Sequence, residues 1–448
     1  MRSPLYPRRL VAVFAIILGI ALVVRAPFIA VAPIVTELGG LFDLDATQLG
    51  LLTGLPVICF AILTPLASTL IDRVGANFAT TLMILGCTLG IIVRSIGDVG
   101  SLYLGNLILG SAIAIGNLLI PVLIRRDMPP GKTAIGTAFY SSMANSGSML
   151  CTAMTVPLSD AFGWQISLGV WGVVAAVALI AWVLLASPAA TLRPVIMQPD
   201  VETGTMPIVT EPAAAAALAE SSPHRRRKRA KPVYSRDIRR LTVLLTFAFT
   251  GQSITYYGVS AWLPTIIADL GQVDRGTAGN GASVFQFTGV VGAIVIPLLI
   301  KRLSRSQLGI MMITLWSTIP LGFLLAPDLW LLWSFAAGIA QGGAFTLIFS
   351  MLIEMARGDD HARRASMVLH WVAYLFSAMA APACGLLLDL TGGWTAALLL
   401  ILGSTAFFGA NVLMAARLST RMRAEREAAE AARRARKRAS DSTSGASA

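Results

Sequence analysis

The chain has 448 residues, of which 56% are hydrophobic and only 13% are charged, and its formal net charge is +12. Its basic residues lie at the ends of apolar stretches and in two tails rather than on one surface, which argues against a nucleic-acid-binding protein. Apolar stretches of about 20 residues recur along most of the chain, and each is long enough to cross a hydrocarbon core about 30 Å thick. The composition therefore predicts an all-α, multi-pass membrane protein.

The hydropathy pattern predicts twelve transmembrane helices in two sets of six. The expected spans are 10–35, 48–71, 77–97, 101–124, 134–157, 165–187, 239–267, 278–300, 307–326, 329–354, 364–388 and 394–416. A segment rich in Pro, Ala and basic residues separates the two sets. The predicted units are therefore a first six-helix bundle (1–187), a disordered basic linker (188–238), a second six-helix bundle (239–416) and a basic tail (417–448).

The distribution of Lys and Arg predicts the orientation of the spans. Of the 35 basic side chains, all but Arg25, Arg94 and Arg275 fall at the chain termini or in loops on the same side as the termini. Because cytoplasmic loops carry an excess of Lys and Arg, both termini and the linker are predicted to be cytoplasmic. We expect the protein to reside in the cell (plasma or inner) membrane.

The ends of spans 5 and 11 share a pattern. Asp160 is followed by Gly163-Trp164, and Asp389 is followed by Gly393-Trp394. Two halves of equal orientation, joined by a linker on the side of the termini, are the sequence trace of a parallel internal repeat. We expect two six-helix pseudo-repeats with a substrate site between them, near the middle of the membrane.

Four stretches carry a family resemblance. Residues 50–67, 116–127 and 136–147, together with Trp262-Leu263-Pro264, resemble the cyanate and 2-nitroimidazole transporter branch of the major facilitator superfamily. The resemblance covers both halves of the chain. It implies the twelve-helix major facilitator fold and the transport of small anions or compact organic molecules.

The loop between spans 2 and 3 matches the superfamily's gating pattern in part. Asp72, Arg73 and Gly75 agree with that pattern and are the predicted gating loop. Ser68 stands where Gly is usual, and Ala76-Asn77 replaces a basic pair. In the superfamily this loop helps to latch the closed cytoplasmic face, so the resemblance implies a weakened latch here.

Arg25 lies inside the first predicted span. In one straight helix from about residue 9 to residue 37, it would be about 24 Å from one end and about 18 Å from the other, at about 1.5 Å per residue. A charge near mid-membrane costs at least a few kcal/mol, so it faces a cavity or a partner. No predicted span has an Asp or Glu near its centre, which favours a substrate anion as the partner over backbone carbonyl groups. The branch typically carries an arginine followed by proline in span 1, and Arg25 with Pro27 matches this with the proline one place later.

Polar side chains in other spans are further candidates for substrate contact. Counted back from the prolines that close spans 1 and 7, Tyr256 is the repeat counterpart of Arg25, and Gln252 shares its helix face. The alternatives are that the tyrosines line a bundle interface and that the amides join helices by hydrogen bonds. The candidate substrate-binding residues are Arg25, Asn117, Tyr140, Asn145, Gln252, Tyr256 and Tyr257.

Two more ionisable residues fall in or near spans. His370 changes charge near neutral pH and is the candidate for proton coupling, although a packed, hydrogen-bonded histidine is the favoured alternative. Arg94 precedes Asp98 by four residues at the outer end of span 3, and we expect the two to pair at the membrane interface.

Enzyme motifs are not met. Gly131-Lys132-Thr133 would need a glycine where Arg126 stands to form a phosphate loop, and the four cysteines lie inside apolar spans without zinc or redox spacing. We therefore expect no catalytic residues, no metal and no cofactor.

These features predict a secondary transporter that moves a small anionic or polar organic solute by alternating access. A proton-coupled drug exporter and a non-transporting membrane sensor on the same fold are the alternatives. The expected partners are a small-molecule substrate, anionic in character, the lipid bilayer and, as a candidate coupling ion, protons. We expect no nucleic acid partner and a monomer.

Overall fold

The computed structural model describes residues 6–128, 133–186, 191–192, 236–300, 302–355 and 359–444, and the secondary-structure elements in this part of the chain are helical. The helices are α1 (Tyr6–Ile29), α2 (Val35–Phe42), α3 (Ala46–Val74), α4 (Ala76–Arg94), α5 (Val99–Asp127), α6 (Thr133–Phe162), α7 (Trp164–Ala186), α8 (Arg236–Gly271), α9 (Arg275–Leu299), α10 (Arg305–Leu325), α11 (Trp330–Met355), α12 (Asp359–Ser377), α13 (Ala380–Thr391) and α14 (Thr395–Ser444). Each predicted span coincides with one helix or a consecutive pair, so the expected all-α membrane fold is confirmed. Most of the predicted linker lies outside the described residues.

Ten segments of the described chain are long and apolar enough to cross a membrane. The remaining predicted spans, 5 and 7, correspond to α6 and α8, which have 30 and 36 residues but are less apolar. These two helices carry Tyr140 and Asn145 on α6, and Gln252, Tyr256 and Tyr257 on α8. Their lower hydropathy therefore comes in part from the side chains that were predicted to contact a substrate.

The first span is broken, so the prediction of one straight helix was wrong. α1 ends at Ile29, a 3-10 turn covers Ala32–Ile34, and α2 follows. Pro33 lies in that turn, and its ring nitrogen cannot donate the hydrogen bond that a continuous helix requires. Arg25 therefore lies about one helical turn before the point where the helix of span 1 is interrupted.

Span 11 is broken as well. α12 ends at Ser377, Ala378 and Met379 form a turn, and α13 begins at Ala380. Pro382 lies in the first turn of α13, where a missing N–H donor costs little. Non-helical backbone at membrane depth is tolerated where it is buried in protein or lines a cavity, and the break in span 1 satisfies that condition because residues 29–35 are buried. In span 11, Ala378 is buried whereas Met379 is exposed.

Acidic side chains on the face away from the chain termini, here called the outer face, cap several helices. Asp45, Asp98 and Asp274 accept hydrogen bonds of 2.7–3.0 Å from backbone N–H groups in the first turns of α3, α5 and α9. These bonds satisfy donors that have no partner inside the helix. Those from Ser101 also hold the pKa of Asp98 below its usual range.

The helices pack as two groups, α1–α7 (the first group) and α8–α14 (the second group). Within the first group, α1 packs against α6 and α7, and α4 packs against α5; within the second, α8 packs against α12 and α14. Between the groups, α6 packs against α9, and α3 packs against α13. These two contacts join span 5 to span 8 and span 2 to span 11. The internal repeat relates span 2 to span 8 and span 5 to span 11, so the two contacts are equivalent to each other.

Asp389 joins the two groups at the outer face. Its carboxylate accepts hydrogen bonds from Ala46 N at 2.9 Å, from Thr47 N at 2.7 Å and from Thr47 Oγ1 at 2.6 Å. The acid of one group thus caps a helix of the other, where a negative charge is stabilised by the helix dipole. A Cβ at Gly385 would collide with the backbone of Ala46, so only glycine permits this approach.

A second connection at the outer face is an ion pair. Arg275 at the start of α9 binds Glu37 on α2, and Ser159 Oγ donates to the same carboxylate at 3.0 Å. Hydrogen bonds between the two groups become fewer towards the side of the chain termini. Among the described residues, the last such bond on that side is donated by Trp371 Nε1 to Ala61 O, at 3.1 Å. The structure is therefore closed at the outer face.

The predicted tail continues the last span without interruption. α14 extends from Thr395 to Ser444. Ion pairs between Arg421 and Glu425 and between Arg423 and Glu427, both at spacing four, support this helix beyond the span. Residues 445–448 lie outside the described part of the chain.

We expect Asp389→Ala to open the outer face more often. The loss of surface charge-assisted hydrogen bonds is worth about 1 kcal/mol, or about a fivefold shift in the equilibrium. The measurement is the rate at which a water-soluble maleimide modifies a cysteine introduced by Ala32→Cys, in the turn that interrupts span 1. The four native cysteines are buried and should contribute little to the labelling.

Asp160→Ala is the matched control, because this repeat-related acid is exposed and has no bond recorded within the described residues. Equal labelling rates in the Asp389→Ala and Asp160→Ala backgrounds would show that the cap does not hold the outer face closed.

Candidate functional site

Arg25 lies on α1 between the two groups. Its side chain is half-buried, and within the described residues it has neither a hydrogen bond nor an ion pair. Four tyrosines lie within electrostatic range of its guanidinium group: Tyr140 from α6, Tyr256 and Tyr257 from α8, and Tyr374 from α12. Tyrosine supplies a ring face and a hydroxyl oxygen, both of which attract a cation without neutralising it. The guanidinium therefore keeps its full positive charge.

The aromatic side chains around Arg25 form a continuous wall. The ring of Tyr257 lies 5.0 Å from that of Tyr256, 6.4 Å from that of Tyr374 and 6.0 Å from that of Phe28, centroid to centroid. The contact with Phe28 crosses from the second group to the first. The ring of Tyr374 likewise lies 5.5 Å from that of Phe60 on α3. Tyr257 thus stands at the junction of the two groups.

Of the predicted substrate contacts, the structure brings together Arg25, Tyr140, Tyr256 and Tyr257. Gln252 is buried one turn from Tyr256, and its Nε2 donates to the backbone oxygen of Gln341 on α11 at 3.1 Å, so it joins helices within the second group.

The two predicted asparagines have no recorded hydrogen bond to Arg25, and their contact with a substrate stays a prediction. Asn145 Nδ2 donates to Ser141 O of its own helix at 3.0 Å. Asn117 is half-buried on α5.

Sequence reasoning missed Tyr374 and Phe28. Tyr374 lies four residues after His370 on span 11, and Phe28 lies three residues after Arg25 on span 1. Both spacings place the side chains on the face of a residue that the sequence had singled out. That periodicity was the available signal, but an aromatic residue in an apolar span is far more often part of the core.

His370 occupies an aromatic enclosure. Its ring centroid lies 5.2 Å from those of Phe249 and Phe349 and 5.8 Å from that of Tyr374, and Nδ1 is 2.8 Å from Ser366 O. These contacts are those of a packed histidine with one satisfied ring nitrogen. Proton coupling through this ring stays a prediction.

The backbone conformation of the predicted gating loop explains why residue 75 is a glycine. Gly75 joins α3 to α4 with φ +80°, a conformation that L side chains rarely adopt. Asp72 and Arg73 are exposed at the end of α3. The neighbouring Asn77 accepts a hydrogen bond from Arg126 at 2.7 Å, so the position that departs from the superfamily pattern joins α4 to α5 within the first group.

The expected pair between Arg94 and Asp98 was wrong. Arg94 is fully buried, with Nη1 donating to Pro27 O at 2.7 Å and Nη2 donating to Leu168 O at 3.3 Å. Asp98 caps α5 instead. Sequence spacing could not reveal this, because the guanidinium binds backbone oxygens on two distant helices rather than a carboxylate.

The cluster around Arg25 is suited to binding and not to catalysis. Among the described residues there is no group of His, Cys, Asp and Glu that could hold a metal ion. A cation, four phenol groups and an aromatic wall can attract a negative or electron-rich group and hold a flat molecule beside it.

One family model matches most of the chain. The model of the Major Facilitator Superfamily matches residues 10–330 and 245–444. The chain is 26% identical to the uncharacterized transporter YycB of Bacillus subtilis over 399 residues, which is 88% of this chain and 90% of that protein. It is also 26% identical to the 2-nitroimidazole transporter of Escherichia coli over 394 residues, covering 87% of this chain and 91% of that transporter.

Solved structures share the fold at low sequence identity. A bacterial homolog of the human lysosomal transporter Spinster, in an inward-facing and unoccupied conformation, superposes with a TM-score of 0.65 at 15% identity, covering 94% of this chain and 99% of that one. A peptide transporter, POT, in complex with alafosfalin gives a TM-score of 0.68 at 15% identity, covering 91% of this chain and 95% of that one.

We expect Arg94→Met to lower the thermal midpoint of the purified protein. The carbonyl groups of Pro27 and Leu168 each lose a charged donor, worth about 1.5–3 kcal/mol. Arg94→Lys retains one charged donor, so its thermal midpoint should lie between those of Arg94→Met and the unaltered protein.

Arg239→Met, which removes an exposed cation at the start of α8, is the matched control and should leave the midpoint unchanged. A midpoint for Arg94→Met equal to that of the control would contradict a structural role for the buried guanidinium.

Proposed function

The chain belongs to the Major Facilitator Superfamily and is a multi-pass membrane transporter, and we propose that it moves a small anionic or electron-rich polar solute by alternating access. The observation that supports this proposal is that Arg25 has no counter-charge. It is a cation at the junction of the two groups, it is surrounded by tyrosines, and it has no carboxylate partner within the described residues.

The charge of Arg25 supports an anion or an electron-rich group as its ligand. A cation held inside a membrane protein without a counter-charge is unstable relative to one that has a partner. A substrate with a carboxylate, a nitro group or another planar acceptor can bind the guanidinium through two parallel hydrogen bonds. The substrate then supplies the partner that the protein does not.

The arrangement of the two groups supports alternating access. The cap at Asp389 and the ion pair between Glu37 and Arg275 close the outer face, whereas bonds between the groups become sparse towards the termini. With the termini in the cytoplasm, as the distribution of Lys and Arg predicts, this state is the inward-facing one. Breaking the outer contacts would open the opposite route to Arg25.

The relatives narrow the choice of test compounds. One relative is described as a 2-nitroimidazole transporter, and its likeness extends over 87% of this chain. A nitroimidazole combines a flat ring with an electron-rich nitro group, which fits an aromatic wall beside a guanidinium. We propose compact, flat molecules of this kind as the substrate class, with cyanate as a smaller anionic candidate.

We expect Arg25→Ala to abolish the counterflow of 2-nitroimidazole in proteoliposomes. Two charge-assisted hydrogen bonds are worth at least about 3 kcal/mol, which is more than a hundredfold in affinity. Arg25→Lys keeps the charge but loses the bidentate geometry, and should retain a small fraction of the rate.

Arg239→Ala serves as the control cation, and size-exclusion profiles verify folding in each variant. Uptake by Arg25→Ala at the rate of the unaltered protein would contradict the role of Arg25. Ligand binding without counterflow in the unaltered protein would contradict transport and identify a sensor.

We expect His370→Phe to accumulate substrate under a pH gradient to within about twofold of the level of the unaltered protein. The reason is that the His370 ring is enclosed by aromatic side chains and packs as one of them. The measurement compares accumulation with and without an imposed pH gradient, and Ser366→Ala is the control for local packing. Loss of the gradient effect with intact counterflow would assign the coupling proton to His370 instead.

A further inference from the structure

Four aromatic rings form a closed cycle at the junction of the two groups. Phe28 of α1 and Phe60 of α3 belong to the first group, and their ring centroids lie 6.0 Å apart. Tyr257 of α8 and Tyr374 of α12 belong to the second group, and their ring centroids lie 6.4 Å apart. Each ring of one pair also meets a ring of the other pair, and we call the set the four-ring cluster.

The contacts between the two pairs cross the junction. The rings of Phe28 and Tyr257 lie 6.0 Å apart at an interplanar angle of 85°, and those of Phe60 and Tyr374 lie 5.5 Å apart at 64°. Both contacts have the edge-to-face geometry that aromatic pairs favour. A movement of the two groups away from each other breaks these two contacts and leaves the contact within each pair intact.

The four-ring cluster lies on the outer side of Arg25. Phe28 follows Arg25 by three residues on α1, which brings it about 4.5 Å nearer to the outer face. Phe28 and Tyr257 also border a small internal space that reaches Ala32 in the turn of span 1, and Arg25 is not among the described residues that line this space. Tyr257 is at the same time within electrostatic range of the guanidinium. The rings therefore stand between the guanidinium and the outer face.

A hydrogen bond beside the four-ring cluster aligns the helices that carry Phe60 and Tyr374. Pro65 lies inside α3 and has no N–H, so the carbonyl of Ala61, four residues before it, lacks the donor that a regular helix supplies. Trp371 Nε1 of the second group donates to that oxygen at 3.1 Å. Ala61 directly follows Phe60, and Trp371 precedes Tyr374 by three residues on α12. The bond therefore holds α3 and α12 at the height where the two rings meet.

We propose that the four-ring cluster is the gate that closes the substrate site on its outer side. In this structure the two pairs meet and block the outer route to Arg25. In the outward-facing state they separate, because one pair moves with each group. The inference rests on the alternating access of the proposed function and goes beyond it. Phe60 lies 14 residues along α3 from Ala46, the residue that Asp389 caps, which is about 21 Å. The contacts at the outer face are therefore too distant to enclose a small solute at Arg25, and the rings are close enough to do so.

The test measures how often the outer side opens when one ring contact between the pairs is removed. The reporter is Ala32→Cys, four residues beyond Phe28, labelled from the outside by a water-soluble maleimide in proteoliposomes without substrate. Phe60→Leu keeps an apolar side chain and removes the ring. We expect labelling about fivefold faster than with the unaltered cluster, which corresponds to about 1 kcal/mol, a typical value for one aromatic pair. Tyr374→Leu removes the same contact from the other side and should give a shift at least as large.

The variant that combines Phe60→Leu with Tyr374→Leu tests whether the two residues act through their shared contact. Once one ring is absent, the contact is lost, so removing the second ring changes little. We expect labelling of the combined variant to exceed that of Tyr374→Leu by less than about twofold, well below the product of the two single shifts.

Phe14→Leu is the matched control. The rings of Phe14 and Phe139 lie 4.8 Å apart at 74°, also edge to face, but both residues belong to the first group. Their contact is present in both states, and the loss of an interaction that does not differ between two states cannot shift the equilibrium between them. We therefore expect the labelling rate of the unaltered cluster, and size-exclusion profiles verify the folding of every variant.

Three results would overturn the inference. They are equal labelling in Phe60→Leu and Phe14→Leu, slower labelling in Phe60→Leu than with the unaltered cluster, and a shift in the combined variant equal to the product of the single shifts. The labelling needs no substrate, so its outcome is separate from the choice of substrate. If the expected labelling shifts are found but the unaltered protein shows no counterflow of 2-nitroimidazole, the gate stands and the proposed substrate class is contradicted.

Discussion

The desolvation of Arg25 is the constraint around which the centre of the molecule is arranged. A guanidinium group in the hydrocarbon layer loses its water shell, and the protein returns only part of that energy through phenol groups and aromatic faces. A carboxylate placed beside it would stabilise the empty protein more, but it would also occupy the position of an anionic ligand. The tyrosines are a compromise between these demands, because they shield the cation from lipid and leave its charge unmatched.

A second arginine, Arg94, binds the backbone just before the break in the first span. Arg94 has no carboxylate partner in the described part of the chain either, but its position is filled by the oxygens of Pro27 and Leu168. A carbonyl that is released from a helical hydrogen bond needs a donor when it is buried, and a guanidinium can serve two carbonyls at once. Arg94 thus ties α4 to α1 two residues beyond Arg25 and fixes the orientation from which Arg25 reaches the space between the groups. One arginine is fully used by the fold, and the other has no recorded hydrogen bond or ion pair among the described residues.

Much of the fold could be predicted from the sequence, but the centre of the site only in part. Hydropathy located all twelve spans because each must bury its backbone inside a hydrocarbon layer. Arg25 and Tyr256 were recognisable because a polar group in an apolar span is costly. The break after Ile29 was not predicted, since Pro33 is compatible with both the end of a helix and a kink. Tyr374 and Phe28 were not predicted either, because an aromatic side chain in an apolar span is most often part of the core, and only coordinates show that both rings contact Tyr257.

The internal repeat also explains why the site is one-sided. Repeat-related helices make the contacts between the groups, yet the repeat-related side chains differ: Asp389 caps the partner helix, whereas Asp160 has no bond recorded in the described chain. At the centre, Arg25 of the first group is matched by Tyr256 of the second. A symmetric pair of arginines would repel each other across the junction when the groups close, at a cost that rises as water is excluded. A single cation avoids that cost. The parallel repeat therefore supplies a symmetric scaffold, and a few side chains depart from that symmetry, as Arg25 does against Tyr256 and Asp389 against Asp160.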